Sequence, residues 1–159
     1  MPEFTDKDAC ELLDADHLAV KHLFVEYARL AYAPTAVEDG DRAAIARRIC
    51  NEISVHAQIE EEIFYPALRQ AVPAAADVLD EAEEEHAQAK SLIAQIRALR
   101  AADPAADALV AALARAIEDH VKEERDELFP KARSASGMDL VALAQRLKER
   151  QRELAADAD

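Results

Sequence analysis

The sequence predicts an all-α fold, an up-down-up-down four-helix bundle with an additional C-terminal helix. Ala and Leu dominate a chain of 159 residues in which hydrophobic residues make up 51% and aromatic residues 4%. Apolar residues recur at spacings of three and four along four long stretches, as they do on one face of a helix. Two glycines leave little turn chemistry for β-hairpins. The length suits one domain, 1–159, with the bundle over about 6–133 and the last helix over about 139–154.

Helix 1 is expected from about Asp6 to about Ala31. Thr5 and Asp8 before it resemble a capping box in which Asp replaces Glu. His22 lies about 140° round the helix from His17, so we interpret it as a partly exposed surface residue. The face predicted to be buried consists of Leu13, His17, Val20, Phe24 and Tyr27.

Helix 2 is expected from about residue 41 to about residue 70, after a loop over 34–41. Pro66 lies inside the pattern and is expected to kink the helix or end its regular part. Glu61 falls off the buried face. That face consists of Ile45, Ile49, Ile53 (or Glu52), His56, Glu60, Ile63 and Ala67.

The second half of the chain predicts three more helices. Helix 3 runs over about 75–101, and we interpret the acidic residues of its first turns as a solvated face. Helix 4 starts at Asp103-Pro104 and runs to about Arg133. The last helix covers about 139–154, before an AADAD tail that should fray. The buried faces of helices 3 and 4 are Leu79, Ala82, His86, Ala89, Ile93 and Ile96, and Leu109, Leu113, Ala116, His120, Glu124 and Leu128.

The most informative stretch is HAQIEEEIFYP, residues 56–66, which recurs in degenerate form as HVKEERDELFP, residues 120–130. Each copy has a His, a Glu four residues later, and a Pro ten residues after the His. Positions i and i+4 lie on the same face of a helix. Each copy can therefore direct an imidazole and a carboxylate at one point.

Four of the five histidines fall on four different apolar faces, each near the middle of its helix. Burying them beside two carboxylates without partners would cost several kcal/mol per charged group, whereas a metal centre removes that cost. Imidazole and carboxylate ligands suit iron, zinc or manganese. Six ligands exceed one tetrahedral zinc and fit two ions bridged by the carboxylates. The competing interpretation is a purely structural bundle with core histidines and surface glutamates.

These motifs resemble the hemerythrin-like, HHE cation-binding, family. The matching pieces are ADH (15–17), HAQIEEEIFYP, EEEH (83–86), and H-x-x-x-E followed by LFP in helix 4, so the resemblance covers about residues 8–154. It implies a four-helix bundle with a non-haem centre of two Fe ions, bridged by carboxylates and by oxo or hydroxo groups. The ligands that it implies are His17, His56, Glu60, His86, His120 and Glu124.

The sequence departs from the oxygen-carrying members of that family, which have an H-x-x-x-H pair on the third helix. Ala82 and Lys90 stand four residues before and after His86, so the fifth histidine is absent. Glu83 or water is a candidate for its place. The other candidates are the oxygen donors Tyr27, Tyr32 and Tyr65. The missing imidazole favours reaction with peroxide, oxygen or nitric oxide over reversible carriage of O2.

We therefore expect a di-iron protein that binds or reacts with O2, nitric oxide or hydrogen peroxide. It would decompose peroxide as an oxidoreductase, or bind or sense the ligand, in the last case through a protein partner. The alternative is iron storage, iron sensing or di-iron repair without turnover of its own. The oligomeric state is left open.

Charge and the N-terminal residues bear on the partners and the compartment. The net charge of −14 argues against a nucleic-acid partner and against an anionic membrane surface. The acidic N-terminus has no signal-peptide apolar region, and no apolar run approaches the ~20 residues of a transmembrane helix. We expect a cytoplasmic protein, in which Cys10 and Cys50 are small core or surface residues in a reducing compartment.

Overall fold

The computed structural model describes residues 7–32, 39–100 and 103–157, and these ranges contain helices and no strand. The helices are α1 (Ala9–Ala31), α2 (Asp39–Ile59), α3 (Tyr65–Ala71), α4 (Ala76–Ala98), α5 (Ala105–Glu123), α6 (Phe129–Ser134) and α7 (Leu140–Asp157). A π-helical turn, π1 (Glu60–Phe64), joins α2 to α3, and a second, π2 (Glu124–Leu128), joins α5 to α6. A 3-10 turn over Pro73–Ala75 precedes α4. The helical bundle with an extra C-terminal helix is confirmed.

The first two helices begin at different residues from those predicted. Asp8 caps α1, because its carboxylate accepts from the Glu11 N–H at 2.8 Å and the Glu11 carboxylate accepts from the Asp8 N–H at 3.3 Å. This capping box starts α1 three residues later than Asp6, while Thr5 lies outside the described residues. Gly40, which the sequence placed in a loop, belongs to the first turn of α2.

The predicted fraying of the C-terminal tail was wrong for residues 155–157, which continue α7 to Asp157. Arg150 donates to Glu153 at 2.9 Å one turn later, and the partly buried Leu154 packs against the core. These contacts support the last turns of the helix. Before α5 the carboxylate of Asp103 accepts from the Ala105 N–H at 2.9 Å, but the helix begins at Ala105, so its N-cap is Pro104 and not Asp103 as predicted.

Pro66 and Pro130 widen their helices rather than end them. A proline has no N–H, and its ring crowds the carbonyl four residues earlier. The Tyr65 N–H instead donates five residues back, to the carbonyl of Glu60. The residue before Pro130 donates in the same way to the carbonyl of Glu124. Both π turns therefore begin at a predicted metal ligand, and π turns are frequent at functional sites.

The core consists of two apolar clusters on either side of a buried polar layer. One cluster, which we call the α7 cluster, includes Cys10, Leu13, Phe64, Leu128 and Leu147. The other, the far cluster, includes Val20, Ile49, Cys50, Ile93 and Leu113. Both cysteines are fully buried, as expected of core residues.

Helix α7 packs against α1, α2 and π1, so it covers one half of the bundle only. Leu143, Ala144 and Leu147 are buried on its inner face. Within the described ranges, no helix combines the length and the apolar character that crossing a membrane requires.

Candidate metal centre

The six predicted ligands occupy the polar layer between the two clusters. They come from four rods, α1, α2 with π1, α4, and α5 with π2, and all six side chains are buried. Glu60 and Glu124 are 0% exposed, and the four histidines are 3–9% exposed. His22, by contrast, is exposed on α1, in agreement with its interpretation as a surface residue.

The ligands form two half-sites that share both carboxylates. In half-site 1, Nε2 of His17 lies 3.1 Å from Nε2 of His56. Nε2 of His17 also lies 3.1 Å from Oε1 of Glu124, and Nε2 of His56 lies 3.2 Å from Oε1 of Glu60. Glu60, 0% exposed, has two oxygens for which the described residues provide no hydrogen-bond partner of good geometry.

Half-site 2 repeats this arrangement on the other side of the carboxylates. Nε2 of His86 and Nε2 of His120 are 3.0 Å apart. Oε1 of Glu60 lies 3.2 Å from the first, and Oε1 of Glu124 lies 3.1 Å from the second. Each carboxylate thus contacts imidazoles of both half-sites through its Oε1 atom, and Oε1 of Glu60 also lies 3.7 Å from Nε2 of His120.

Every one of the four histidines binds a carboxylate through its outer nitrogen, Nδ1. Carboxylates at this position hold the imidazole ring so that Nε2 points inward, and they increase its strength as a ligand. The pairs are His17 with Asp14 at 3.2 Å, His56 with Asp16 at 3.1 Å, His86 with Glu61 at 3.1 Å, and His120 with Glu85 at 2.8 Å.

Sequence reasoning missed these outer carboxylates, and two of its interpretations were wrong. Glu61 was placed off the functional face, and the acidic start of helix 3, which includes Glu85, was interpreted as solvated. Both are half-buried and bind a histidine on a neighbouring helix. The available signal was the acidic residue directly before each of His17 and His86.

The buried imidazoles and carboxylates of this layer shift one another's pKa values strongly. Burial lowers the pKa of His56, but the carboxylates of Glu60 and Asp16 raise it to about 10. Burial likewise lowers the pKa of His120, but Glu124, Glu60 and Glu85 raise it to about 12. Burial raises the pKa of Glu60, but His56, Glu124 and His120 hold it well below its usual range. Cation binding at Nε2 would therefore displace protons from His56 and His120.

Tyr65 is the oxygen donor that the structure brings to the centre. Its hydroxyl oxygen lies 3.3 Å from Nε2 of His86 and 3.3 Å from Nε2 of His120, and it donates to Oε2 of Glu124 at 3.4 Å. Burial, followed by the charges of Glu124 and Glu60, raises the pKa of Tyr65 well above its usual value. A hydroxyl therefore stands in half-site 2, close to the two imidazoles.

The other candidates for the place of the fifth histidine lie elsewhere. The Tyr27 hydroxyl donates to Asp107 at 2.7 Å, and Tyr32 is 75% exposed. The Glu83 side chain is 48% exposed and pairs with Arg69 at 3.6 Å. Of these candidate side chains, Tyr65 is the one whose oxygen lies beside the buried histidines.

A cavity of about 20 Å³ adjoins all four histidines. That volume suits one water-sized molecule. Asp16, Ser54 and Lys90 also line it. Glu85 lines it as well, and the other walls are apolar and come from the far cluster and its neighbours, chiefly Val20, Ile53, Ala89, Ile93, Ile117 and Val121.

Comparison with known proteins identifies the fold and the family. The model of the hemerythrin HHE cation-binding domain matches residues 8–132. The crystal structure of a hemerythrin HHE cation-binding domain-containing protein from Mycobacterium kansasii superposes with a TM-score of 0.74 at 22% identity, covering 95% of this chain and 89% of that one. A protein from Nostoc sp. described as a DNA nickase is 28% identical over 129 residues, or 81% of this chain. The chain spans 34% of the length of that relative.

Proposed function

The chain belongs to the hemerythrin HHE cation-binding domain family, and we propose that it holds two iron ions and uses them to bind or turn over O2, nitric oxide or hydrogen peroxide. The observation that carries this proposal is the convergence of four Nε2 atoms on two shared, fully buried carboxylates. Glu60 is fully buried and its oxygens lack hydrogen bonds of good geometry, and a bound cation would offset the cost of burying this charge.

The donor set supports iron over a single structural zinc ion. Half-site 1 offers two imidazoles and both carboxylates, and half-site 2 offers two imidazoles and the Glu60 carboxylate; no thiolate is among these donors. Oε1 of Glu124 approaches half-site 2 through its contact with Nε2 of His120 at 3.1 Å. Imidazole with carboxylate is a typical environment of iron in proteins, and paired carboxylates of helical bundles hold di-iron centres. Two irons supply the paired electron exchange that peroxide and oxygen chemistry requires.

Tyr65 supports reactivity rather than simple carriage of O2. We propose that its oxygen is the additional donor of half-site 2, because the hydroxyl already lies 3.3 Å from both imidazoles of that half. The hydroxyl donates to Oε2 of Glu124, so its proton has an acceptor within the centre. Half-site 1 then keeps the more open position for an incoming ligand.

The cavity supports a small and weakly polar ligand. Ile53, Ile93 and Ile117 contribute to its apolar walls, and its volume leaves no space for an organic substrate. A molecule of one or two heavy atoms fits, which agrees with O2, nitric oxide and peroxide. We leave DNA nicking out of the proposal, because the chain spans 34% of the Nostoc relative and carries a net charge of −14.

The test measures metal content and optical spectrum in protein from iron-replete cells. We expect about two irons per chain, since the two half-sites offer equivalent imidazole pairs. The spectrum should change on addition of peroxide and of nitric oxide, and the changes should disappear after chelation. One zinc ion and no iron would contradict the proposal. Peroxide consumption that persists in metal-free protein would transfer the chemistry to Cys10 or Cys50.

A further inference from the structure

The outer carboxylate Asp16 is held by a residue outside the four bundle rods. Two of the other outer carboxylates accept hydrogen bonds from basic side chains of the bundle itself: Asp14 from Arg125, and Glu61 from Lys90. Asp16 accepts from the side-chain amide of Gln151 on α7 at 3.1 Å. The same Oδ2 atom binds Nδ1 of His56 at 3.1 Å. A continuous chain of hydrogen bonds thus connects α7 to a ligand of half-site 1.

The corresponding carboxylate of half-site 2 lacks this support. Glu85 directly precedes His86 on α4, as Asp16 directly precedes His17 on α1. The Glu85 carboxylate binds His120 at 2.8 Å. Its acidic neighbours are Glu81 and Glu123, and burial together with the charges of Glu85 and Glu81 raises the pKa of Glu123 to about 7. An amide donor at Asp16 and carboxylates at Glu85 give the two half-sites different outer environments.

Helix α7 is fixed well enough to position a side chain. Leu143 and Leu147 are buried in the α7 cluster. Arg150 donates to Glu62 of π1 at 2.9 Å. Two consecutive residues of α7, Arg150 and Gln151, therefore bond to the π turn that carries Glu60 and to the helix that carries His17.

We propose that Gln151 is a positioning residue for half-site 1, through which the docking of α7 sets the orientation of His56. This inference rests on the proposed metal centre. Without the amide, the Asp16 carboxylate loses the donor that holds its Oδ2 atom beside Nδ1 of His56, and the ring loses its fixed direction. Residues that orient a ligand in this way typically change metal affinity roughly 10- to 100-fold, and a residue one step further out should have a smaller effect.

The experiment measures how fast a strong chelator removes iron from the iron-loaded full chain. Gln151→Glu keeps the shape but removes the donor, and Gln151→Ala removes it without adding charge. Both should release the first iron about three- to tenfold faster than wild type. Gln151→Lys keeps a donor and should release iron at nearly the wild-type rate. Gln145→Glu, a matched change at an exposed glutamine of the same helix, should also leave the rate unchanged.

An Asp16→Asn background distinguishes positioning from a general effect on α7. If Gln151 acts through Asp16, Gln151→Glu should cause no further acceleration in that background. Equal acceleration in both backgrounds, or a wild-type rate in Gln151→Glu and Gln151→Ala, would overturn the inference. A wild type without two irons would overturn the proposed function instead, and release of the cation that it does retain would still test Gln151.

Discussion

Half-sites 1 and 2 have nearly the same imidazole geometry. The rings of His17 and His56 have centroids 4.8 Å apart and planes inclined at 62°. The rings of His86 and His120 have centroids 4.6 Å apart and planes inclined at 61°. The repeated motif therefore produces two equivalent imidazole pairs around the shared carboxylates.

The hydroxyl of Tyr65 distinguishes half-site 2 from half-site 1. Tyr65 stacks on His86 with a centroid distance of 5.3 Å, and Phe129 stacks on His17 at 6.1 Å. Tyr65 and Phe129 occupy the same position in the two copies of the motif, directly before the proline. Symmetry in the repeat thus supplies two similar sets of buried imidazole and carboxylate donors, while the Tyr65 hydroxyl lies beside one set only. We expect the two irons to have different ligand environments.

The largest effect, on the melting temperature, should come from removing the cations of both half-sites at once. Chelation leaves imidazoles and carboxylates facing one another in a buried layer, where Glu60 and Glu124 repel if both are ionised. Because cations bind only the folded arrangement, their loss should lower the melting temperature by on the order of 10 °C. Circular dichroism should show that the protein remains largely helical at low temperature. An unchanged melting temperature would mean that the cations contribute little to folding.

Removing a shared carboxylate should affect both half-sites. Glu60→Ala and Glu124→Ala should each lose most of the bound iron, because each carboxylate contacts an imidazole in both halves. Glu84→Ala, at an exposed glutamate of α4, is the control and should keep two irons. Glu61 is unsuitable as a control because it binds His86. Elemental analysis of the iron content of the three variants tests this prediction. Equal loss of iron in all three would contradict the assignment of Glu60 and Glu124 as ligands.

Removing one imidazole should impair one half-site and leave the other able to bind iron. His17→Ala should weaken half-site 1, and His86→Ala should weaken half-site 2, each leaving roughly one iron per chain. His22→Ala should keep both irons and the wild-type spectrum, because His22 is exposed. Iron content and Mössbauer spectra of the three variants test this. If His22→Ala lost iron, the assignment of the helix 1 ligand would be wrong.

The smallest change exchanges the hydroxyl that distinguishes the half-sites. Tyr65→Phe should keep both irons but lose any absorption band that arises from a tyrosine oxygen on ferric iron, making the two halves more alike. Phe129→Tyr, at the equivalent position beside His17, should add a similar band for half-site 1. Optical and resonance Raman spectra measure both. A spectrum that is identical in wild type and Tyr65→Phe would show that Tyr65 is not a ligand.

Much of the centre could be predicted because helical periodicity is local. The spacing of His56 and Glu60 within one helix places both on one face whatever the rest of the chain does. The same holds for His120 and Glu124, and for the single histidines of helices 1 and 3. The structure brings all six side chains into one buried layer.

The sequence alone determined the long helices, most of their buried faces and the inward-facing imidazole and carboxylate donors, since each follows from contacts within one or two turns. Five residues that it also placed on buried faces are only partly buried in the structure: Phe24, Ile45, Ala67, Leu109 and Ala116. Only the tertiary structure decided which groups meet across helices. It brought the hydroxyl of Tyr65, rather than that of Tyr27 or Tyr32, to the centre, paired Glu61 and Glu85 with histidines of other helices, and connected α7 to half-site 1 through Gln151. Such contacts depend on the rotation and offset of packed helices, which side-chain packing of the whole core sets.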